Sequence, residues 1–193
     1  MIYHGYLIKV FEGVYKPCDD SYLLAENLEV KDDDNVLDMG TGCGIQGLIA
    51  SSKARKVVSS DISKKALECS AHNAWCNRAV NIQFIESNLF NNIEGLFDLI
   101  SFNPPYLPTS KKDEDFEDRQ VWDGGKDGLQ VISAFTKDVK KYLNPKGRIK
   151  IVTSSIGGIE ETIQMFNKVG IKAKVAKSQR FFYEELAIID AYS

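Results

Sequence analysis

The sequence is poor in the residues that usually hold metal ions. Its 193 residues include only two histidines and four cysteines, and no two cysteines form a Cys-x-x-Cys pair. Without such a pair a zinc site is not expected, and we predict no metal site. The four cysteines are expected to be free thiols in a reducing compartment: Cys18, Cys43, Cys69 and Cys76.

Long apolar runs and an excess of positive charge are also missing. No segment approaches the roughly 20 apolar residues that a membrane-spanning helix needs, and the N-terminus lacks the pattern of a signal peptide. The net charge of −3 provides no general attraction for nucleic acid. We therefore expect a cytoplasmic protein without a membrane partner, and nucleic acid is not an expected partner.

The sequence does contain a regular alternation of apolar strands and amphipathic helices. Buried strands are predicted at 35–39, 56–61, 81–85, 97–102 and 148–153. Helical periodicity separates them, and segments 171–176 and 185–191 have no helix between them, which predicts an antiparallel pair. This pattern is typical of a doubly wound, Rossmann-like α/β fold with a mostly parallel seven-stranded sheet and a C-terminal antiparallel hairpin. One domain is expected to cover residues 1–193.

Two helix boundaries carry specific expectations. Asp19, Asp20 and Ser21 are predicted to cap a short helix over 22–28. The apolar positions from Leu129 to Leu143 predict a long helix that ends in a turn at 144–147, ahead of the fifth strand.

A glycine-rich segment, residues 40–44, follows Asp38 at the end of the first buried strand. Glycine permits a tight turn and a close approach of the backbone to a ligand. Asp61 ends the next strand, where a carboxylate can accept both ribose hydroxyls of an adenine nucleoside. Residues 42–47 also match Gly-x-Gly-x-x-Gly, so the loop alone leaves a dinucleotide and S-adenosylmethionine both open. Asp38 favours S-adenosylmethionine, because a carboxylate can receive its ammonium group but repels a pyrophosphate.

A second motif, Asn103-Pro104-Pro105-Tyr106, follows the fourth strand. The prolines hold the loop extended, and their missing N–H groups let a carbonyl face outward without a competing donor. The Asn103 side-chain oxygen and the Pro104 carbonyl can then accept both hydrogens of one –NH₂ group, while Tyr106 offers a flat face to a planar amide or base. We therefore predict methyl transfer to a planar nitrogen, with Asn103, Pro104 and Tyr106 as catalytic residues.

With these segments the sequence resembles the HemK-like protein-glutamine N5-methyltransferases that modify translation release factors. The resemblance runs from about Val14 to the C-terminus and includes residues 15–21, residues 36–44, Asp61, residues 103–106 and the Trp-x-Gly-Gly-x-x-Gly segment at 122–128. It is similar to the archaeal and eukaryotic branch. Only 13 residues precede Val14, so the extra N-terminal helical domain of bacterial members is not expected.

The resemblance implies a cofactor, a substrate and a partner. S-adenosylmethionine is the implied cofactor, held by Pro17, Asp20, Asp38, Gly40, Thr41, Gly42, Gly44, Asp61, Asn88 and Asn103. The implied substrate is the glutamine of a Gly-Gly-Gln tripeptide in a class-I release factor. Members of this branch are similar in working with a small zinc-binding activator protein, which we expect at the exposed edge of the third predicted strand.

Several alternatives and one departure remain at this point. The family commonly has aspartate at the position of Asn88, although asparagine can still accept from an adenine amino group. Adenine or guanine methylation in DNA or RNA, and protein lysine methylation, remain alternative activities. The charged segment from Lys111 to Arg119 fits a solvated loop and a substrate lid equally well, and Trp122 fits a core position or a substrate contact.

Overall fold

The computed structural model describes residues 1–109 and 123–192. The charged segment from Lys111 to Arg119 therefore lies outside the described residues, and so does Trp122. A seven-stranded sheet forms the centre of the described chain, in the order β5-β4-β3-β6-β7-β9-β8. Its strands are β3 (Asn35–Met39), β4 (Lys56–Asp61), β5 (Ile82–Glu86), β6 (Phe97–Phe102), β7 (Leu143–Ser154), β8 (Lys172–Arg180) and β9 (Glu185–Tyr192). A short hairpin of β1 (Ile2–Tyr3) and β2 (Tyr6–Leu7) precedes it.

Six strands of the sheet point in the same direction, and only β9, the last strand of the chain, reverses. β9 pairs antiparallel with both β7 and β8, whereas β3 to β7 pair parallel with their neighbours. The predicted doubly wound α/β architecture and its C-terminal hairpin are confirmed. In such a sheet the carboxyl ends of the parallel strands meet at one edge, where ligands usually bind.

Helices cover both faces of this sheet. They are α1 (Asp19–Glu26), α2 (Ile45–Ser51), α3 (Lys64–Cys76), α4 (Gln130–Asp138) and α5 (Ile159–Lys168). Successive residues of a strand point to opposite faces. Val36 accordingly belongs to the buried cluster that contains Ala50 of α2, and the next residue, Leu37, belongs to the cluster that contains Phe135 of α4. No helix in the described ranges combines the length and the apolar character needed to cross a membrane.

Two predicted boundaries are wrong. Strand β7 begins at Leu143 rather than at Arg148, because the predicted turn is an irregular excursion inside the strand: Leu143 pairs with Phe97 and Arg148 already with Leu99. Helix α1 begins at Asp19, with Cys18 at its N-cap. Asp20 is consequently a buried residue of the first helical turn and not an exposed cap.

Candidate active site

A cavity of about 670 Å³ opens at the carboxyl ends of β3, β4 and β6. This volume lies in the range of small-molecule sites. Eleven of the twelve predicted site residues line the cavity: Pro17, Asp20, Asp38, Gly40, Thr41, Gly42, Asp61, Asn88, Asn103, Pro104 and Tyr106. The sheet order therefore brings the two sequence motifs, which lie some sixty residues apart, to one site.

The glycine loop adopts backbone conformations that favour glycine. Gly40 and Gly44 have φ angles of +62° and +88°, and the second of them begins the turn into α2. Gly44 is the one predicted cofactor residue that does not line the cavity. A β-carbon on Gly44 would approach Ser70 Oγ to 2.4 Å. The structure thus explains this glycine by its packing against α3.

Asp38 is fully enclosed beneath the glycine loop. Its Oδ2 accepts hydrogen bonds from Thr41 Oγ1 at 2.6 Å and from Gly47 N at 3.0 Å, and Ser101 Oγ lies 3.4 Å from Oδ1. Burial raises the pKa of Asp38 to about 7, and these hydrogen bonds oppose the shift. A buried carboxylate of this kind favours a cation nearby, because a positive charge stabilises its ionised form.

Asp61 ends β4 with both carboxylate oxygens held by backbone amides. Gly42 N donates to Oδ2 and Ser63 N to Oδ1, each at 2.9 Å. Burial raises its pKa, and the backbone hydrogen bonds oppose the shift. Two held oxygens at the cavity wall fit the two hydroxyls of a ribose. Asn88, farther along the same wall after β5, is exposed.

Asp20 lines the cavity in contact with residues of the Asn-Pro-Pro-Tyr loop. Its Oδ2 accepts hydrogen bonds from Tyr15 Oη at 2.9 Å, Asn103 Nδ2 at 3.1 Å and Tyr106 Oη at 3.3 Å. The resemblance implied that Asp20 holds the cofactor; its contacts also join it to the predicted catalytic residues. Tyr15 was missed as a candidate, since only its place in the resembling segment singled it out.

The side-chain amide of Asn103 has one satisfied end and one unsatisfied end. Nδ2 donates to Asp20 and approaches Ser21 Oγ at 3.4 Å. Oδ1 is buried and has no hydrogen-bond partner among the described residues. Because an unpaired buried acceptor is costly, this oxygen is suited to accept a hydrogen bond from a bound molecule. Because Asp20 can only accept from Nδ2, it holds the amide with Oδ1 available to a bound molecule.

Glycines from two other segments pack against the backbone of this loop. A β-carbon on Gly124 would approach Pro105 O to 2.8 Å, and one on Gly128 would approach Tyr106 O to 2.4 Å. Gly157, after β7, makes a similar approach to Tyr106 O at 2.6 Å. The family-specific glycines at 124–128 were recognised by resemblance alone, and the structure gives them a physical role in positioning the loop.

Comparisons with known proteins place this chain among methyltransferases. Residues 15–183 match the family described as methyltransferase small domain. The chain is 40% identical over 191 residues to a putative protein N5-glutamine methyltransferase of Methanocaldococcus jannaschii, with 97% of this chain and 96% of the relative covered. It is 28% identical to methyltransferase HEMK2 of Homo sapiens, with 97% and 94% covered.

Among solved structures, the Mtq2–Trm112 complex of E. cuniculi is similar in fold. That complex is described as responsible for methylation of the eRF1 translation termination factor. The match has a TM-score of 0.74 at 24% identity and covers 94% of this chain and 99% of the matched chain. It supports the Rossmann-like methyltransferase fold.

Proposed function

Because this chain belongs to the methyltransferase small domain family, we propose that it methylates the side-chain nitrogen N5 of a protein glutamine. The proposed methyl donor is S-adenosylmethionine, and the proposed substrate is the Gly-Gly-Gln glutamine of a class-I translation release factor. Similarity to a putative protein N5-glutamine methyltransferase supports the reaction. Similarity to the eRF1 methyltransferase catalytic subunit mtq2 of Schizosaccharomyces pombe, at 25% identity over 96% of this chain, supports the substrate.

The observation that carries the proposal is the unpartnered Oδ1 of Asn103. An amide nitrogen is a poor nucleophile because its lone pair is delocalised into the carbonyl. Two fixed acceptors, Asn103 Oδ1 and the Pro104 carbonyl, can hold its two hydrogens and orient the nitrogen for attack. They also stabilise the positive charge that develops on nitrogen. Because the two acceptors act by hydrogen bonding, the reaction needs no general base with a shifted pKa.

The donor set at the other end of the cavity fits S-adenosylmethionine. Asp38 is a buried carboxylate that a cationic ammonium would stabilise, and Asp61 presents two held oxygens for ribose hydroxyls. Asn88, Gly40, Thr41 and Gly42 also line the cavity. Asn88 would accept from the adenine amino group, and the three loop residues would supply backbone to the amino acid part. When bound, the cofactor supplies a methyl group on a positively charged sulfur.

The chain's own residues position the acceptor. Asp20 accepts a hydrogen bond from Asn103 Nδ2, which leaves Asn103 Oδ1 free to accept a hydrogen bond from the substrate. Tyr106 is held in the same network through its hydroxyl, and its ring lies at the cavity wall, where a planar amide can stack. The substrate nitrogen would gain the methyl group as the methyl–sulfur bond of the donor breaks, and would release one proton to solvent, which leaves S-adenosylhomocysteine and a neutral methylated amide.

The direct test is transfer of labelled methyl from S-adenosylmethionine to recombinant class-I release factor. Label is expected on the wild-type factor and absent when the glutamine of its Gly-Gly-Gln tripeptide is changed to alanine. Asn103→Ala is expected to abolish transfer, whereas Asn167→Ala, an exposed asparagine of α5, leaves it unchanged. DNA, RNA and a lysine-rich protein are parallel acceptors; label on any of them instead of the factor contradicts the proposed substrate.

A small zinc-binding activator is proposed to add a strand to β5. The two edges of the sheet differ: β8 carries Lys172, Lys174 and Lys177 and a bulge, features that discourage pairing, whereas β5 has neither. Ile82 and Phe84 pack on one face of β5 and Ile85 on the other. The Mtq2–Trm112 complex is a two-protein assembly of the same fold.

Exposed apolar side chains flank the β5 edge and support this position. Trp75 is 79% exposed on α3, and Val80, which precedes the strand, is 95% exposed. Changing Trp75 and Val80 together to alanine is expected to abolish co-purification with the co-expressed activator. Ile2→Ala, another exposed apolar position, serves as the control. Unchanged co-purification in the double variant contradicts the proposed edge.

A further inference from the structure

The hairpin that joins β8 to β9 has an exposed aromatic tip. Phe182 and Tyr183 are 91% and 87% exposed, and their rings meet edge to face with centroids 4.8 Å apart. A hydrogen bond of 2.7 Å from Phe181 N to Glu184 O closes the turn. Adjacent exposed aromatic side chains are typical of a surface that binds another molecule.

This tip lies at the same edge of the sheet as the cavity. β9 runs antiparallel to β7, so Glu185 at its start lies beside the carboxyl end of β7. Ser155 N donates to Glu185 O at 2.8 Å, and Glu185 N donates to Ser155 Oγ at 3.0 Å. Two residues farther on, Gly157 packs directly against the backbone of Tyr106. The turn at 155–157 therefore connects the hairpin tip with the Asn-Pro-Pro-Tyr loop.

Glu184 at the tip has an unsatisfied carboxylate oxygen. Its Oε2 is buried and has no hydrogen-bond partner among the described residues. Glu184 lies close enough to Tyr106 to affect it: burial, Asp20 and then Glu184 raise the pKa of the Tyr106 hydroxyl. A hollow of about 190 Å³ adjoins Glu184 and is lined also by Ser155 and Arg180. Leaving a buried carboxylate oxygen unpaired is costly, which calls for a donor from a bound molecule.

We propose that the hairpin tip, residues 181–184, is a second substrate subsite that binds the polypeptide segment next to the methylated glutamine. Phe182 and Tyr183 pack on apolar groups of that segment, and Glu184 accepts a main-chain N–H from it. A polypeptide fits better than a nucleic acid, because a carboxylate repels phosphates and every polypeptide offers main-chain donors. This inference rests on the proposed function, since it assigns a subsite for the same substrate.

Steady-state kinetics with the release factor as the varied substrate test the subsite. Changing Phe182 and Tyr183 together to alanine is expected to raise KM for the factor about tenfold with kcat nearly unchanged, the pattern of lost uniform binding. Glu184→Gln keeps one acceptor oxygen and Glu184→Ala removes both, so kcat/KM is expected to fall in that order. Tyr192→Ala, at the other end of β9, is the matched aromatic control.

The outcomes separate this inference from the function it rests on. No transfer to the factor by the wild-type chain contradicts the proposed substrate and the subsite with it. Normal transfer by the wild type and an unchanged KM in the aromatic double variant contradict the subsite alone. The affinity for S-adenosylhomocysteine is expected to stay within twofold of wild type in every variant; a larger loss means that the tip acts on the cofactor region or on folding, and overturns the subsite.

Discussion

At the scale of single residues, Asp20 connects three other side chains of the site. One carboxylate oxygen accepts hydrogen bonds from Tyr15, Asn103 and Tyr106. A charged acceptor shared by several donors holds each of them more firmly than a neutral one would. Asp20 therefore has the contacts of a positioning residue, which acts by keeping Asn103 Oδ1 available.

The substitution Asp20→Asn separates this role from cofactor binding. Loss of the charge lets the Asn103 amide change orientation, and misplacement of this kind can cost about 100-fold in rate. We expect kcat to fall by that order, while the affinity for S-adenosylhomocysteine, measured by calorimetry, stays within twofold. Asp19→Asn, an exposed neighbour in the same helical turn, is the control. A large loss of cofactor affinity with little change in kcat would instead favour the cofactor role predicted from sequence.

Asp38 predicts a pH dependence of cofactor binding. Its carboxylate, with a pKa raised to about 7, is mostly neutral at pH 5.5 and mostly ionised at pH 8. A cationic ligand prefers the ionised form, so the affinity for S-adenosylhomocysteine is expected to rise between pH 5.5 and 7.5, by at most about tenfold per pH unit. Titration calorimetry at several pH values measures this rise.

Two controls isolate the contribution of the ammonium group to this profile. The profile of Asp38→Asn is expected to be flatter, because the group that titrates is gone. 5′-Methylthioadenosine, which lacks the ammonium, is expected to show a smaller rise than S-adenosylhomocysteine with the wild-type chain. Identical profiles for the wild type and Asp38→Asn would refute the role of Asp38.

The raised pKa of Asp38 also makes the stability of the folded chain depend on pH. Between about pH 4 and pH 7 the folded chain holds the Asp38 proton more tightly than the unfolded chain does. Asp38 therefore contributes a stability that is present below pH 4 and lost as the pH rises through 7. A bound cation offsets this loss, because it stabilises the ionised carboxylate of Asp38.

At the scale of elements, the segment at 123–128 fixes the Asn-Pro-Pro-Tyr loop from outside. Gly124 N donates to Leu107 O at 2.8 Å, and Asp123 Oδ1 accepts from Thr109 Oγ1 at 2.6 Å. The absence of side chains at 124 and 128 lets the two backbones touch. A turn whose glycines are needed for contact, as well as for conformation, tolerates no larger residue.

Gly128→Ala tests this contact. The new β-carbon would approach Tyr106 O to 2.4 Å, so the loop must move. We expect about 100-fold lower kcat with a cofactor affinity close to wild type. Gly95→Ala controls for backbone strain, because Gly95 also has a positive φ, +92°, but no atom within 4 Å of the added carbon. Equal losses in both variants would mean that strain, rather than the contact with Tyr106, is responsible.

The predicted elements differ in how well local sequence determines them. β3, β4 and β6 begin and end where the apolar runs do, because these strands are buried on both faces and their residues have no other favourable environment. The start of β7 was missed because Asn144, Pro145 and Gly147 are typical turn residues. Pairing of Leu143 with Phe97 and of Arg148 with Leu99 of β6 extends the strand across them, a tertiary effect that local propensity does not contain.

At the scale of the whole molecule, the site and the main buried ion pairs lie at opposite edges of the sheet. Arg148, early in β7, pairs with Asp34, and both side chains are largely buried. Arg148 also donates to Glu29 O at 2.8 Å. These contacts join the start of β3 to β7 across β6 and leave the cavity edge free for ligands.

Arg148→Met is therefore expected to lower stability without affecting the folded site. Removing one partner of a buried pair leaves the other charge uncompensated and costs about 3 kcal/mol. Chemical unfolding measures this loss, and the affinity of the folded protein for S-adenosylhomocysteine should not change. Lys141→Met breaks an exposed pair with Asp138, which water screens, and is expected to change stability far less. Similar losses in both variants would contradict the structural importance of the Arg148 pair.

Local sequence was enough to predict the strand and helix alternation, the glycine loop with Asp38 and Asp61, and the Asn-Pro-Pro-Tyr loop. Each of these depends on residues close together in the chain, whose backbone restrictions and apolar periodicity act locally. Other features arise only in the folded chain: Asp20 reaches Asn103, 83 residues away, Gly128 and Gly157 hold Tyr106, and Glu184 lies beside the same loop. These contacts follow from strand order and helix packing, which bring together segments that no local pattern connects.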